Sequence, residues 1–364
     1  MVATVIGTTG STPASALSRM LVTNSGRGLR GTVGGGSMEA EVVQKAAGLA
    51  GTGKAAFLTF HLREDELVQG LICGGDLEIL IEPMSRTLVP MLEKIVRQRE
   101  AGEDGILLTL VDNNGTVTGK GFFDASAVDE SSELQKQWNG PKLEWGYALN
   151  EELRKALRRD VPRTVETAQG KLVLEFIKGT PGLIVLGGGH VSRSLCKVAA
   201  MAGFRVTVVD DREAYANQVR FAEASQTIVT DFVNAFTHVA VKQSTSIVIV
   251  TRSHHFDEIL LEKALRTPAG YIGMIGSKQK VRSTFSHLIG RGADPAHLAR
   301  VHAPIGIEIG AVTPEEIAVS IVAELVAFRR EKQGAFRSKS DNNQLSPPNS
   351  LETGTTGRSQ RFTN

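Results

Sequence analysis

"LIVLGGGHVSRSL", residues 183–195, sets four consecutive apolar side chains against three glycines and then a segment of helical pattern. A buried strand that breaks at glycine and resumes as a helix opens a parallel α/β sheet, and its turn suits a diphosphate. Gly187 allows the tight turn. Gly189 and His190 stand where backbone amides open the helix, a position that attracts anions. Ser192 occupies the place of the usual third glycine. The next strand, "RVTVVD", ends at Asp210, where an acid meets a ribose hydroxyl in such folds. Two readings stay open for this turn: a nucleotide-like ligand, NAD included, or the same geometry kept as a docking platform.

Downstream the same texture continues. "SIVIVT" and "YIGMIGS" are apolar on both faces and alternate with helical stretches, which predicts a doubly wound parallel sheet covered by helices. Thr251, Arg252, Ser253 and His254 leave the first of these strands at the edge where open α/β sheets bind ligands. His254 could move a proton there, as an NAD-dependent oxidoreductase would require. His254, His255 and Asp257 could instead form a metal site or a polar rim. His302, Ala303 and Pro304 read as a rigid turn. The last helix has Thr313 as cap, Pro314 in the first turn, Glu316 closing a capping box, and Ile317, Ile321, Leu325 and Phe328 on one stripe. Residues 332–364 are polar and low in apolar anchors, and are expected to be a disordered tail.

Upstream the pattern is different. Short strands recur from "VATVI" to "TVTGKGFF", separated by turn signals such as Asn24-Ser25-Gly26 and Asp112-Asn113-Asn114-Gly115, with helical patterns at 38–50 and 86–101. This predicts an α+β unit with a mixed or antiparallel sheet over residues 1–178 and a Rossmann-like unit over 182–331, joined at a Pro/Gly boundary. Residues 126–160 give no clear pattern. The strand pair "RTVETA" and "KLVLEFI" closes the first unit.

Inside the first unit "GTVGGGSMEAEVV", residues 31–43, repeats the glycine theme. Gly34, Gly35 and Gly36 lead into a helix that Ser37 can cap. Its amides suit an anion, yet Glu39 and Glu41 in the first turn repel phosphate. The alternative is a flat ligand or partner chain lying on the glycine backbone while Glu39 accepts its N–H groups. Cys73 precedes Gly74 and Gly75 at another glycine turn, open to soft-metal or thiol chemistry or to simple burial. Cys196 reads as a core thiol on a helical face.

Composition excludes several classes. Lys and Arg number 41 against 39 Asp and Glu, so no cationic excess is available for nucleic acid or an anionic membrane. No apolar run approaches the length of a membrane span, and the first residues lack a leader pattern, so a cytoplasmic protein is expected.

Together "ATVIGTTGSTP", "GTVGGGSMEAEVV", "CGGDLEILIEP", "GGGHVSRSL", "VTVVDDR", "TRSHHFD", "YIGMIGSKQK" and "HAPIGIEIGAVTPEEIAVSIVAELVA" resemble the xanthine dehydrogenase accessory factors, the XdhC/CoxI maturation proteins. The resemblance implies a non-enzymatic chaperone, commonly a homodimer. It would bind the molybdenum cofactor, molybdopterin, and help insert it into a molybdenum hydroxylase client, alongside a cofactor sulfurase. On that reading Arg19 pairs the cofactor phosphate, Glu39 binds the pterin edge, and Cys73 lies near the metal.

Overall fold

The computed structural model describes residues 1–23, 28–62, 75–129, 131–144, 147–159 and 161–331. Cys73, Gly74, the Asn24-Ser25-Gly26 turn and the 332–364 segment lie outside the described residues.

Three sheets organise the chain. The first contains β1 (Val2–Thr9), β2 (Arg19–Val22), β3 (Gly28–Gly31), β4 (Ala56–His61) and β5 (Asp76–Glu82), ordered β3-β2-β1-β5-β4 with antiparallel neighbours. The second contains β6 (Gly105–Val111), β7 (Val117–Asp124), β8 (Arg163–Thr167) and β9 (Gly170–Ile177), ordered β7-β6-β9-β8, also antiparallel. The third is parallel throughout: β10 (Gly182–Leu186), β11 (Arg205–Asp210), β12 (Gln226–Val229), β13 (Thr245–Ile249), β14 (Tyr271–Met274) and β15 (Val301–His302). Its order, β12-β11-β10-β13-β14-β15, is the 3-2-1-4-5-6 arrangement of the dinucleotide-binding α/β fold.

The helices are α1 (Gly36–Leu49), α2 (Val89–Glu100), α3 (Ser131–Gln137), α4 (Tyr147–Arg159), α5 (His190–Met201), α6 (His254–Ala264), α7 (Lys278–Gly290), α8 (Pro295–Leu298) and α9 (Pro314–Glu331). Helix α1 covers one face of the first sheet, burying Met38, Val42 and Ala46 on Ala3, Val5, Met20 and Ile79. Helices α3 and α4 cover one face of the second sheet, with Leu134, Leu149 and Leu153 against Leu108, Leu172 and Leu174. The opposite face of that sheet meets α2 through Leu107, Phe122 and Ile177, and meets the first sheet through Val111 and Val173 against Ile6 and Leu80. In the third unit α5 and α9 pack on one face, α6 and α7 on the other.

The α+β unit followed by a parallel doubly wound sheet is the predicted fold class. Three local readings change. Helix α1 is capped at Gly35, whose left-handed φ of 78° only glycine takes freely, and not by Ser37, which lies inside the first turn. Residues 86–88 form a single 3₁₀ turn ahead of α2. The segment 126–160, unreadable in sequence, holds α3 and α4. Leu149, Leu153 and Ala156 of "YALNEELRKALRR" are buried on one stripe, so the signal was present.

Candidate functional site

Side chains alternate across a strand, and that rule assembles the site. On β2, Met20 and Val22 point into the α1 core, so Arg19 projects to the opposite face. On β5, Ile79 and Ile81 face α1, so Leu80 and Glu82 face the second sheet. On β9, Leu172 and Leu174 face α4, so Val173 and Glu175 face the first sheet. Lys120 of β7 comes in from the same side. Four charged side chains from four strands thereby enter one gap between two apolar sheets.

They form two ion pairs. Arg19 Nη2 donates to Glu175 Oε2 at 2.6 Å, and Lys120 Nζ donates to Glu82 Oε2. The side chains of Glu175, Glu82 and Lys120 are only 1%, 6% and 9% exposed. Burial drives the Glu82 carboxyl above its usual range; Lys120 opposes this, and Glu175 adds to it as a neighbouring like charge. Burying ion pairs this far is weak as a stability device, because desolvation offsets the attraction. The quartet sits on a cavity of about 660 Å³ walled by Leu17, Leu88, Leu92 and Leu107, with Arg99, Lys178 and Arg330 also in its lining. Five cationic side chains thus line it against two carboxylates. Leu17, beside Arg19, holds a left-handed φ of 66°, a conformation uncommon for a leucine.

Of the sequence-predicted residues among those described, Arg19 alone lines this cavity. The first glycine turn lies elsewhere, and its anion is internal: Glu39 Oε2 accepts from Gly35 N at 3.0 Å, Val33 N at 3.3 Å and Thr32 Oγ1 at 2.7 Å. Gly34 and Gly75 lie on either side of the 9–13 loop. A Cβ on Gly75 would stand 2.1 Å from the Thr9 carbonyl oxygen, so Gly75 serves close packing, while Gly34 holds a positive φ of 133° that favours glycine. Gly35 has open space beside it, and Gly36 and Ser37 are exposed.

The second glycine turn is equally engaged. Gly188 N donates to Asp210 Oδ2 at 2.8 Å, and Asp210 Oδ1 accepts from Arg212 Nε at 2.9 Å. The Tyr215 carbonyl lies against Gly188, where a Cβ would meet it at 1.9 Å, and Arg212 stacks on the Tyr215 ring at 3.6 Å. Gly187 takes φ 109° under Val250, Gly189 is open, and His190 is exposed. Thr251 Oγ1 donates to Asp257 Oδ1 at 2.7 Å, and Asp257 Oδ2 faces Lys280 Nζ at 2.5 Å. Arg252 grips Asp211 with two hydrogen bonds of 2.5 and 2.7 Å, which hold the Asp211 carboxyl below its usual range. His254 is exposed at the start of α6. No group of three His, Cys, Asp or Glu among the described residues is placed to hold a metal. Cys196 is buried, its thiol pushed up to about 11 by desolvation.

Glu82, Lys120 and Glu175 were missed in the sequence. The signal was a charge inside an apolar strand, as in "LVLEFI" and "EILIEP". A charge set among apolar neighbours in a strand is carried toward the core with them, and a buried charge needs a partner.

Two antiparallel sheets that enclose a charged cavity, joined to a Rossmann-type unit, define a two-part protein of α/β class. The comparisons agree part by part: residues 183–325 match the XdhC Rossmann domain, and residues 1–61 match the XdhC and CoxI family. The chain belongs to the XdhC and CoxI family. It is 26% identical over 340 residues to a Bacillus subtilis protein described as a probable xanthine dehydrogenase subunit, covering 91% of this chain and 93% of that one. It is 31% identical over 160 residues to the uncharacterized protein YqeB of Escherichia coli, spanning only 29% of that protein. The crystal structure of a Bacillus halodurans protein described as a xanthine dehydrogenase shares its fold, with a TM-score of 0.73, 24% identity and coverage of 93% and 94% of the two chains. No helix among the described residues is long and apolar enough to cross a membrane.

Proposed function

We propose that this protein is an accessory factor of a xanthine dehydrogenase-like molybdenum hydroxylase, and that it holds the molybdenum cofactor, molybdopterin, on its way into that enzyme. The inter-sheet cavity carries the reading. Molybdopterin is a pterin with a flat pyrimidinone ring, a phosphate and two sulfurs, so it needs apolar walls for the ring and positive charge for the tail. The cavity offers leucine walls and five cations against two carboxylates. The glycine turn at 34–36 suits the group less, because Glu39 already takes the amides that a phosphate would use. Similarity over nearly the whole of both chains to a protein named for xanthine dehydrogenase supports the choice of client. Exchange with a cofactor sulfurase and action as a cytoplasmic homodimer belong to the same proposal.

The test is co-purification. Protein made in cells that synthesise the cofactor should release a fluorescent oxidised pterin on denaturation, near one per chain. The Arg99→Ala, Lys178→Ala double variant should release about tenfold less, as expected for loss of charge-assisted contacts. Absence of pterin from the wild type, or equal amounts from both proteins, overturns the reading.

A further inference from the structure

The cavity floor carries a second level of information. Each ion pair of the quartet uses one carboxylate oxygen, Oε2 of Glu82 and Oε2 of Glu175. Oε1 of each carboxylate has no hydrogen-bond partner among the described residues, and both residues line the cavity. An ionised carboxylate is an acceptor only, with about four lone-pair sites on its two oxygens. Two such groups, nearly stripped of water, fix what can sit against them. A phosphate or carboxylate is repelled, and an aromatic ring edge without donors leaves the acceptors unsatisfied. A ring edge with two adjacent N–H donors satisfies both conditions. Arg19 and Lys120 each hold the other oxygen of one carboxylate in place, a positioning role. The remaining cations of the lining, Arg99, Lys178 and Arg330, supply charge for an anionic tail.

We infer that Glu82 and Glu175 read the donor edge of a 2-amino-4-oxo pyrimidine ring whose phosphate tail is held by the other cations of the cavity. The inference rests on the reading of this cavity as the cofactor site, and it makes a demand the reading alone does not. The protein should recognise the ring edge in any molecule that carries it, pterin or guanine, and reject rings without it. Adenine presents a ring acceptor beside its amine, which opposes a carboxylate. Hypoxanthine keeps the ring N–H but lacks the amine.

Calorimetry on the full wild-type chain with GMP, IMP, AMP and 6-carboxypterin tests this directly. GMP and 6-carboxypterin should bind, with IMP about tenfold weaker and AMP weaker still, because a buried charged acceptor that loses one donor costs about a factor of ten. In Glu175→Gln and Glu82→Gln the side-chain volume is kept but an acceptor becomes a donor. Both should lose GMP affinity about tenfold and bring GMP and IMP close to equal. GMP and IMP binding alike to the wild type overturns the inference, as does silence from both GMP and 6-carboxypterin. A Gln variant that keeps the GMP preference also overturns it. The wild-type comparison decides the question even where a Gln variant fails to fold. Failure here with cofactor still co-purifying leaves the proposed function standing; the reverse result removes the client reading and keeps the recognition site.

Discussion

At the residue scale the informative group is Glu82. Its carboxyl is buried between two sheets and titrates above the usual 4.5, because desolvation outweighs the attraction of Lys120. A carboxyl whose folded value is raised binds more protons in the native state than in the unfolded chain. Its contribution to stability is therefore fully present below the unfolded value and is lost as pH rises through the folded one. The stability difference between wild type and Glu82→Gln, from denaturant unfolding at roughly pH 4 to 8, should move against the wild type as pH rises. The slope should not exceed about 1.4 kcal/mol per pH unit, the limit for one proton. A flat difference across that range would show that Glu82 is an ordinary solvated carboxylate, and one that favours the wild type more at high pH would show that its partners outweigh its burial; either result overturns the prediction.

At the element scale the two glycine turns show how far a sequence can be read. The parallel sheet was legible because strands apolar on both faces have few other homes, and the α9 capping box reappears in Thr313 Oγ1 accepting from Glu316 N. The Asp112 turn was legible for a similar local reason: Asp112 Oδ1 accepts from Asn114 N at 2.9 Å and Thr116 N at 2.8 Å. What the glycines make room for was not legible. Gly188 accommodates the Tyr215 carbonyl and Gly75 the Thr9 carbonyl, contacts fixed by segments whose paths no local pattern specifies. The inter-sheet quartet was hidden for the same reason, since Arg19 and Glu175 are 156 positions apart. Paired substitutions in the second turn separate packing from ligand binding. Gly188→Ser drives a Cβ into the Tyr215 carbonyl and should destabilise by about 3 kcal/mol. Gly189→Ser has φ −70°, open space and an N-cap position, so it should be neutral or gain a few tenths. Equal thermal stability of the two variants would mean that the turn is not packed on residues 212–215 and stands open for a ligand.

At the scale of the whole molecule the question is what the Rossmann-type unit adds to the antiparallel sheets, given that Gly188 of its glycine turn is packed on Tyr215 and bonded to Asp210. Its amino edge faces the second sheet across a cleft of about 530 Å³, where Phe204, Tyr271 and Phe328 lie opposite Phe176. Lys242 Nζ crosses this junction to the Ala101 carbonyl and Glu103, both at 2.9 Å. Arg99, Phe176, Lys178 and Arg330 line both this cleft and the inter-sheet cavity, so the two spaces share a wall. Arg330 lies in the last turn of α9, and α9 is anchored by Glu324, which accepts from Tyr271 Oη at 2.9 Å and Gly306 N at 2.5 Å and pairs with His302. Burial pushes the Glu324 carboxyl up, but these partners together hold it below its usual range. The Rossmann-type unit therefore contributes a cation to a site built by the antiparallel sheets. Arg330→Ala, which removes an exposed side chain, should leave thermal stability within about 0.5 kcal/mol. The same change should weaken GMP binding several-fold at low salt, an effect that shrinks as salt is raised toward about 0.5 M because exposed charges are screened. Unchanged affinity at low salt would mean that the antiparallel unit binds its ligand without the Rossmann-type unit, and that the attachment serves some other contact.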